Sequence, residues 1–286
     1  MKALKMGLID SSFQHHPLNT VPGNTSQEIE WNRASPFNED LVCFTNEKIL
    51  SDERLEIEEN RRIALLYESR DTMKWLYEKS AKVAHEYKIF FTHEKTFLDA
   101  FPNARWIPGN GIWIGNSYGG GAIGIAPKDR MTSFVTSSKA TTTLQRLRVL
   151  MAQEFEKEKN LDIDVYLRSS DSYDYLPISV CLMRYRFSIV IENTQSPLYF
   201  TEKILNCFAT GTIPIYLGAT KINEFFNPDG IIQFSTKRQL TKEILPMLSS
   251  ELYDSKRQAI HENLNISHKY STIEKVMSEF LRNSTF

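Results

Sequence analysis

The stretch from Phe187 to Gly218 constrains the fold more than any other part of the chain. It begins with FSIVIE, a β-branched and almost wholly apolar run that is typical of a strand buried on both faces. After a polar loop, Thr201 can cap a helix that ends near Thr210, and Gly211 suits its C-terminal turn. A second apolar run, IPIY, follows. The pattern therefore predicts a strand–helix–strand unit of a parallel sheet.

Polar side chains cluster where the first strand of this unit ends and its helix begins. They are Asn193, Tyr199, Thr201, Glu202 and Lys203. Ligands of open α/β sheets bind at the carboxyl ends of the strands, and a helix N-terminus favours phosphate. We therefore expect a site for a phosphate-containing ligand here.

Strand and helix patterns alternate on both sides of this unit, which predicts two α/β domains. The boundary is predicted within Asn116–Asp129, where Gly119, Gly120, Gly121 and Gly124 favour a flexible crossing. The predicted domains are then residues 1–126 and 127–286. Residues 14–37 are polar and are expected to form a long surface loop.

The composition of the chain narrows the classes of partner. The chain has 286 residues and a net charge of −1, which gives no support for a nucleic-acid surface. No run approaches the length of a transmembrane helix, and the apolar part of the N-terminus is too short for a signal peptide. These features predict a cytoplasmic protein, with peripheral association with a membrane left open.

Eight residues of the central stretch form a pattern of fixed residue types at fixed spacing. It comprises Glu192, Asn193, Tyr199, Thr201, Glu202, Lys203, Pro214 and Gly218. This pattern resembles the donor-binding motif of the α1,3-fucosyltransferase family, including its bacterial members. The resemblance implies a GT-B fold, with two Rossmann-like domains facing a central cleft. The N-terminal domain would bind the acceptor, and the C-terminal domain would bind the nucleotide sugar.

The resemblance also implies a reaction and extends to other parts of the chain. Family members transfer fucose from GDP-fucose to a glycan acceptor with inversion. In the first half, IALLYESR is similar to a family strand that ends in a carboxylate, with Glu68 and Arg70 in the corresponding places. In the second half, Arg148 matches an arginine-bearing helix, and Gln145 stands where a histidine is common. The first sixty residues match poorly.

Glu68 is the candidate general base that takes the proton of the acceptor hydroxyl. It ends an apolar strand, where partial burial can make a carboxylate more basic. The alternative is a strand-end carboxylate that pairs with Arg70 or Arg61 at the surface.

Arg148 and Lys203 are the candidate ligands of the diphosphate leaving group. Arginine can hold phosphate oxygens through two N–H groups, while lysine supplies a point charge. Arg146 follows the same polar turn and is a rival to Arg148, although the motif's register favours Arg148. The alternative for these arginines is a solvated helix face, which we prefer for Arg146.

The remaining candidates complete the donor pocket. Glu202 is expected to accept hydrogen bonds from sugar or ribose hydroxyls, unless it is an ordinary carboxylate at a helix start. Asn193 and Tyr199 are expected to line the pocket, although Tyr199 can equally be packing at a loop edge.

No cofactor is expected beyond the donor substrate, and a metal should be dispensable. Asp162 and Asp164 form an Asp-x-Asp pair, which binds manganese in transferases of another fold. Their alternation within LDIDVYL is more typical of a strand. Two other functions stay open at this point. One is transfer from a different nucleotide sugar, and the other is a glycan- or nucleotide-sugar-binding protein without turnover.

Overall fold

The computed structural model describes residues 2–14, 16, 18–25, 28–158, 160–168 and 176–284. Its strands are β1 (Leu4–Ile9), β2 (Ile29–Asn32), β3 (Val42–Thr45), β4 (Arg62–Leu66), β5 (Ile89–Thr92), β6 (Ala104–Trp106), β7 (Arg130–Ser137), β8 (Ile163–Arg168), β9 (Tyr185–Ile191), β10 (Ile213–Leu217) and β11 (Ile232–Gln233).

The α-helices among these residues are α1 (Lys74–Val83), α2 (Lys95–Ala100), α3 (Thr143–Phe155), α4 (Ile178–Leu182), α5 (Glu202–Thr210), α6 (Lys237–Gln239), α7 (Ser250–Ser255), α8 (Arg257–Ser267) and α9 (Ile273–Asn283). Short 3₁₀ helices occupy several of the connections, including Asn46–Leu50 and Ala84–Glu86.

The chain forms two units, and each contains one parallel sheet. The first unit comprises Met1–Gly111 and Tyr270–Phe286, and the second comprises Ile112–Lys269. The strand order is β2-β1-β3-β4-β5-β6 in the first sheet and β11-β10-β9-β7-β8 in the second. The predicted fold class is confirmed, because both units are α/β with parallel strands.

Both faces of the first sheet are covered by helices. Ile63 and Leu65 of β4 pack with Ile273 and Met277 of α9. Alternate residues of the same strand point to the other face, where Leu66 packs in one apolar cluster with residues of α1 and α2. Burial on both faces explains why residues 63–66 of β4 form a continuous apolar run rather than an alternating one.

The second sheet contains the strand–helix–strand unit that the sequence predicts. Strands β9 and β10 are parallel and pair from Phe187↔Ile213 to Ile191↔Leu217, with α5 between them in the chain. Helix α5 begins at the Thr201 cap and ends at Gly211, which has φ +68°. This left-handed conformation is the one that glycine adopts without strain at the end of a helix.

The structure divides the chain differently from the predicted boundary at 126/127. The glycine-rich loop lies inside the second unit, where the Gly119 carbonyl accepts a hydrogen bond from the Ser179 amide (3.0 Å) and the Gly124 amide donates to Ala209 (2.8 Å). In addition, α9 returns to the first unit because its apolar side packs on the first sheet.

Two short elements were not predicted. Strand β2 lies within the predicted loop of residues 14–37, and α4 directly precedes β9. Strand β2 reads IEWN, and only Ile29 is fully buried, so it has no apolar run that would distinguish it from a loop. Within the described residues, no helix is both long and apolar enough to cross a membrane.

Helix α9 also carries a buried acid. The Glu274 carboxylate accepts hydrogen bonds from the amide of Thr20 (2.7 Å), the Thr20 hydroxyl (2.9 Å) and Nε1 of Trp31 (3.4 Å). Burial raises the pKa of Glu274 to about 7, although these hydrogen bonds oppose the shift. The C-terminal helix is thereby bonded to the loop that follows β1.

This buried acid predicts a specific dependence of stability on pH. Between pH 4.5 and about 7 the folded state holds the Glu274 proton more tightly than the unfolded chain. The stability that this group contributes is therefore greatest at low pH and falls as pH rises, by about 3 kcal/mol across the window. Glu274→Gln removes this titratable group. The free energy of unfolding of the variant should therefore rise relative to that of the parent chain between pH 5 and pH 8.

The matched control is Glu279→Gln, which changes an exposed carboxyl on the same helix. Urea unfolding at each pH measures the difference. Parallel curves for Glu274→Gln and the parent chain would show that the Glu274 carboxyl does not titrate in this window.

Candidate active site

A buried carboxylate joins the end of β9 to the start of α5. Glu192 is 0% exposed. Its Oε1 accepts the Thr201 amide (2.9 Å), and its Oε2 accepts the Thr201 hydroxyl (2.8 Å). The Thr201 hydroxyl in turn accepts the Lys203 amide (3.3 Å), which caps α5. Burial raises the pKa of Glu192, while the charge of Lys203 opposes that shift.

Lys203 lies in the first turn of α5 between two carboxylates. Its Nζ is 2.9 Å from Oε1 of Glu202 and 3.5 Å from Oε2 of Glu192. Burial alone would lower the pKa of Lys203, but the charges of Glu202 and Glu192 outweigh it and raise the pKa. The lysine therefore stays cationic, and a quarter of its side chain remains exposed (25%).

Arg148 reaches the same strand end from α3. One guanidinium nitrogen donates to the Ile191 carbonyl (3.0 Å), and the other donates to Oδ1 of Asn193 (2.9 Å). Burial lowers the pKa of Arg148, and the nearby Glu192, Glu202 and Tyr199 oppose that shift. An arginine keeps its charge under such conditions, so a second cation is held beside Lys203.

Asn193 ties the start of α3 to the end of β9. Its carbonyl accepts the Thr142 hydroxyl (2.7 Å), and its Oδ1 lies 3.4 Å from Nε2 of Gln145. Thr142 and Gln145 also form the capping box of α3, which orients the helix that carries Arg148. Gln145 thus has a definite structural task at the start of α3.

The structure distinguishes the two arginines of α3. Arg146 is exposed, and its guanidinium donates to the carbonyls of Ala140 and Thr141. Arg148 is buried at the strand end. Arg146 thus lies on a solvated face, whereas the role of Arg148 as a diphosphate ligand stays a prediction.

Tyr199 and Glu202 complete the cluster. Tyr199 is buried, and Glu202 stands at the first position of α5. The five predicted donor-site residues, Arg148, Asn193, Tyr199, Glu202 and Lys203, therefore come together at the carboxyl edge of the second sheet.

A cavity of about 300 Å³ opens at the same edge, beyond β10 and β11. Its lining is amide- and hydroxyl-rich, with Gln195, Gln233, Gln239 and Ser235 beside the rings of Tyr216 and Phe234. Gly218 adjoins it, and a Cβ there would lie 2.4 Å from the Tyr216 hydroxyl and 2.6 Å from Cγ of Glu192. This close approach explains the glycine that ends the motif.

Glu68 lies in the first unit, two residues after β4, and is not among these five. Its neighbour Arg70 pairs with Glu94 (3.2 Å). Arg61 donates to the carbonyls of Phe37, Glu39 and Asp40. Both arginines named as surface partners for Glu68 thus have other partners of their own.

The Asp-x-Asp pair is not arranged as a metal site. Oδ2 of Asp164 contacts Arg130 (2.6 Å) and the Tyr185 hydroxyl (2.6 Å), and Asp162 is exposed. In the described part of the chain, no three His, Cys, Asp or Glu side chains converge as metal ligands.

The central role of Glu192 was not predicted. The sequence identifies Glu192 only as a member of the motif, because an acid that follows an apolar strand looks like any other carboxylate at a strand end. One signal could have identified it. A parallel strand and the following helix start are neighbours, so a buried acid ending the strand needs the donors that a threonine cap supplies.

Comparison with known protein families decides which family has this arrangement. The model of "Glycosyltransferase family 10 (fucosyltransferase) C-term" matches residues 125–272, which include every donor-site residue named above. The chain belongs to this family.

The similar relatives are fucosyltransferases, but the matched segments are short. An "Alpha-(1,4)-fucosyltransferase" of Arabidopsis thaliana is 36% identical over 22% of this chain and 15% of its own length. An "Alpha-(1,3)-fucosyltransferase FucT" of Helicobacter pylori is 35% identical over 23% and 14%. An "Alpha-(1,3)-fucosyltransferase B" of Drosophila melanogaster is 32% identical over 37% and 29%. The chain therefore matches less than a third of the length of each of these relatives.

A solved structure extends the likeness across nearly the whole chain. The crystal structure of an alpha1,3-fucosyltransferase aligns with 99% of this chain and 91% of its own, with a TM-score of 0.55 and 16% identity. At that identity the alignment supports the GT-B fold class and leaves residue roles to the geometry described above.

The Glu192–Thr201 contact predicts an unusually costly helix cap. Thr201→Val removes the hydroxyl that both caps α5 and donates to a buried carboxylate, so it should lower the free energy of unfolding by about 2–3 kcal/mol. Thr236→Val is the control, because Thr236 caps the exposed start of α6 and has no buried acid to satisfy. It should cost about 0.5–1 kcal/mol. Equal losses in urea unfolding would contradict the role given to Glu192.

Proposed function

We propose that this chain is an inverting fucosyltransferase that transfers fucose from GDP-fucose to a hydroxyl of a glycan acceptor. The observation that carries the proposal is that Arg148, at the end of β9, and Lys203, in the first turn of α5, interact electrostatically with the same two acids, Glu192 and Glu202, inside the family's matched segment. The relatives named above are all fucosyltransferases, which favours fucose as the transferred sugar.

The two cations suit a departing diphosphate. Arg148 uses one N–H of each terminal nitrogen to hold its position, and its buried Nε has no partner among the described residues. A phosphate oxygen would satisfy the remaining donors, which are costly to leave unpaired. The charges of Lys203 and the α5 N-terminus add to this attraction.

The neighbouring residues take positioning roles in the proposal. Asn193 holds the Arg148 guanidinium in place through its Oδ1 (2.9 Å). Glu202 keeps Lys203 oriented and offers its second oxygen to a sugar or ribose hydroxyl. Tyr199, which is buried, is proposed to line the donor pocket.

Glu68 is the proposed general base. It takes the proton of the acceptor hydroxyl as that oxygen attacks the anomeric carbon of fucose from the face opposite the leaving group. The bond from the anomeric carbon to the diphosphate oxygen breaks, and GDP leaves with its electron pair. One displacement of this kind inverts the anomeric centre. The first unit would then contribute to acceptor binding, and transfer would require both units.

The proposal includes no metal. Arg148 and Lys203 supply the positive charge that a divalent cation supplies in other transferases. Transfer is therefore expected to proceed in EDTA, in which the activity assays below are run. Activity that requires added manganese would instead support a metal site at Asp162 and Asp164.

Nucleotide binding tests the donor assignment. GDP should stabilise the chain, by about 2.7 kcal/mol at a hundredfold excess over its dissociation constant. Arg148→Ala should weaken GDP binding in calorimetry roughly 10–100-fold, because it removes charge-assisted hydrogen bonds worth about 1.5–3 kcal/mol. Arg146→Ala, the control on the same helix, should change affinity by less than about threefold, as surface substitutions do.

Other nucleotides make this test discriminating. Stabilisation by UDP or CMP but not by GDP would replace the fucosyl assignment with another nucleotide sugar. A damaging Arg146→Ala beside a silent Arg148→Ala would contradict the site as described.

Glu68→Gln tests the proposed base. The substitution keeps the size of the side chain and removes its ability to accept a proton, so turnover should fall roughly 10²–10⁴-fold. GDP-fucose affinity should stay within about twofold, since the donor ligands lie in the second unit. The fall in rate toward low pH that reports protonation of the base should disappear from the residual activity.

Glu78→Gln, on the exposed side of α1, is the control for charge removal in the same unit. Release of GDP with acceptor present measures turnover, and calorimetry measures affinity on the same preparation. Undiminished turnover in Glu68→Gln would exclude Glu68 as the base. Tight donor binding without release in the parent chain would favour a binding protein.

A further inference from the structure

The backbone that carries Glu68 is held by side chains from other elements. Oδ1 of Asn46 lies 3.2 Å from the Tyr67 amide and 3.5 Å from the Glu68 amide and accepts from both. On the other side, the Glu68 carbonyl accepts the Tyr77 hydroxyl and Nε2–H of His93 (3.1 Å). Burial lowers the pKa of His93 to about 4, so its imidazole is neutral.

Asn46 has an uncommon backbone conformation. Its φ is +42°, and it is the one non-glycine residue with positive φ among those the structure describes. Such conformations cost about 1–3 kcal/mol and persist where the surroundings impose them, often at functional sites. Asparagine tolerates this region better than most residues. Here the left-handed turn at the end of β3 directs the amide toward the end of β4.

The same amide reaches the end of a third strand. Its Nδ2 donates to Oγ of Ser12, which lies just beyond β1 (2.9 Å). Asp10 fixes that position, because its Oδ1 accepts the Ser12 amide (2.7 Å) and the Thr45 hydroxyl (2.5 Å). Strands β1, β3 and β4 are neighbours in the first sheet. Asn46 therefore joins the carboxyl ends of three adjacent strands through one buried side chain.

We propose that Asn46 is a positioning residue for Glu68. The inference rests on the proposed function, because it gives Asn46 a part in transfer only if Glu68 is the base. Glu68 lies two residues beyond the last residue of β4, past the end of the paired register of the sheet. A base must be held within about 0.5 Å of its productive place, and a displacement of 1 Å can cost about 10²-fold in rate. The Asn46 amide supplies part of that restraint from one side of the peptide, and Tyr77 and His93 supply the rest from the other.

Asn46→Gly tests the restraint without adding backbone strain. Glycine accepts positive φ freely, so the turn can persist while the amide is lost. Turnover should fall about 10–100-fold, and GDP-fucose affinity should stay within about twofold. A variant that merely folds poorly would lose turnover and donor affinity together.

Asn46→Asp is the second variant and has a different expected signature. It keeps an oxygen for the Tyr67 and Glu68 amides, and Ser12 can donate to it, so much of the turnover at high pH should be retained. The added negative charge raises the pKa of Glu68, since a like charge favours its protonated form. The acidic limb of the pH–rate profile should therefore move to higher pH. Carbon-13 NMR of the Glu68 carboxyl should report the same direction without any substrate.

Asn103→Ala is the matched control. The Asn103 amide also holds backbone in the first unit, because Nδ2 donates to the carbonyls of Ala84 (2.9 Å) and Tyr87 (2.6 Å). Its loss should lower the melting temperature and leave turnover and the pH profile unchanged. This comparison separates a positioning role from the general value of a buried amide.

The outcomes distinguish this inference from the proposed function. If Glu68→Gln retains full turnover, the base assignment fails and the role of Asn46 fails with it. If Glu68→Gln is inactive while Asn46→Gly transfers at the parent rate with an unchanged pH profile, only the role of Asn46 is overturned. Low turnover in Asn46→Gly, partial recovery in Asn46→Asp and a shifted acidic limb together support it.

Discussion

The carboxyl edge of the second sheet depends on one buried carboxylate that is fully supplied with hydrogen-bond donors. Removing the Glu192 charge from water is costly, and the Thr201 amide, the Thr201 hydroxyl and Lys203 together offset that cost. The same contacts place the first turn of α5 and hold Lys203 beside it. The acids Glu192 and Glu202 balance the cations Arg148 and Lys203, so a strongly charged site can exist within an apolar sheet edge.

The first unit follows the same physical logic. The strand ends of its sheet are joined by side-chain hydrogen bonds from Asp10 and Asn46 and by the ion pairs Arg33–Asp10 and Arg70–Glu94. The backbone at Glu68 is thus constrained while its carboxylate stays half-buried. The proposed base, Glu68, would benefit from such a setting, because its position is restrained.

Much of this architecture could be predicted from local patterns. The strand–helix–strand unit from Phe187 to Gly218 follows from apolar runs, a threonine cap and Gly211, because each signal lies within a few residues. The choice of Arg148 over Arg146 needed the family resemblance. Long-range contacts were not predictable. The return of α9 to the first sheet and the bonding of Asn46 to a peptide some twenty residues later leave no trace in local sequence.

The central claim is that the carboxyl edge of the second sheet binds the diphosphate of the donor. A crystal structure of the complex with GDP tests it most directly. We expect phosphate oxygens within about 3 Å of the Arg148 guanidinium and the Lys203 amino group. Diphosphate density elsewhere would contradict it. The clearest such case would be density in the basic cavity of about 420 Å³ lined by Lys128, Arg186 and Arg257, near the amino ends of the strands.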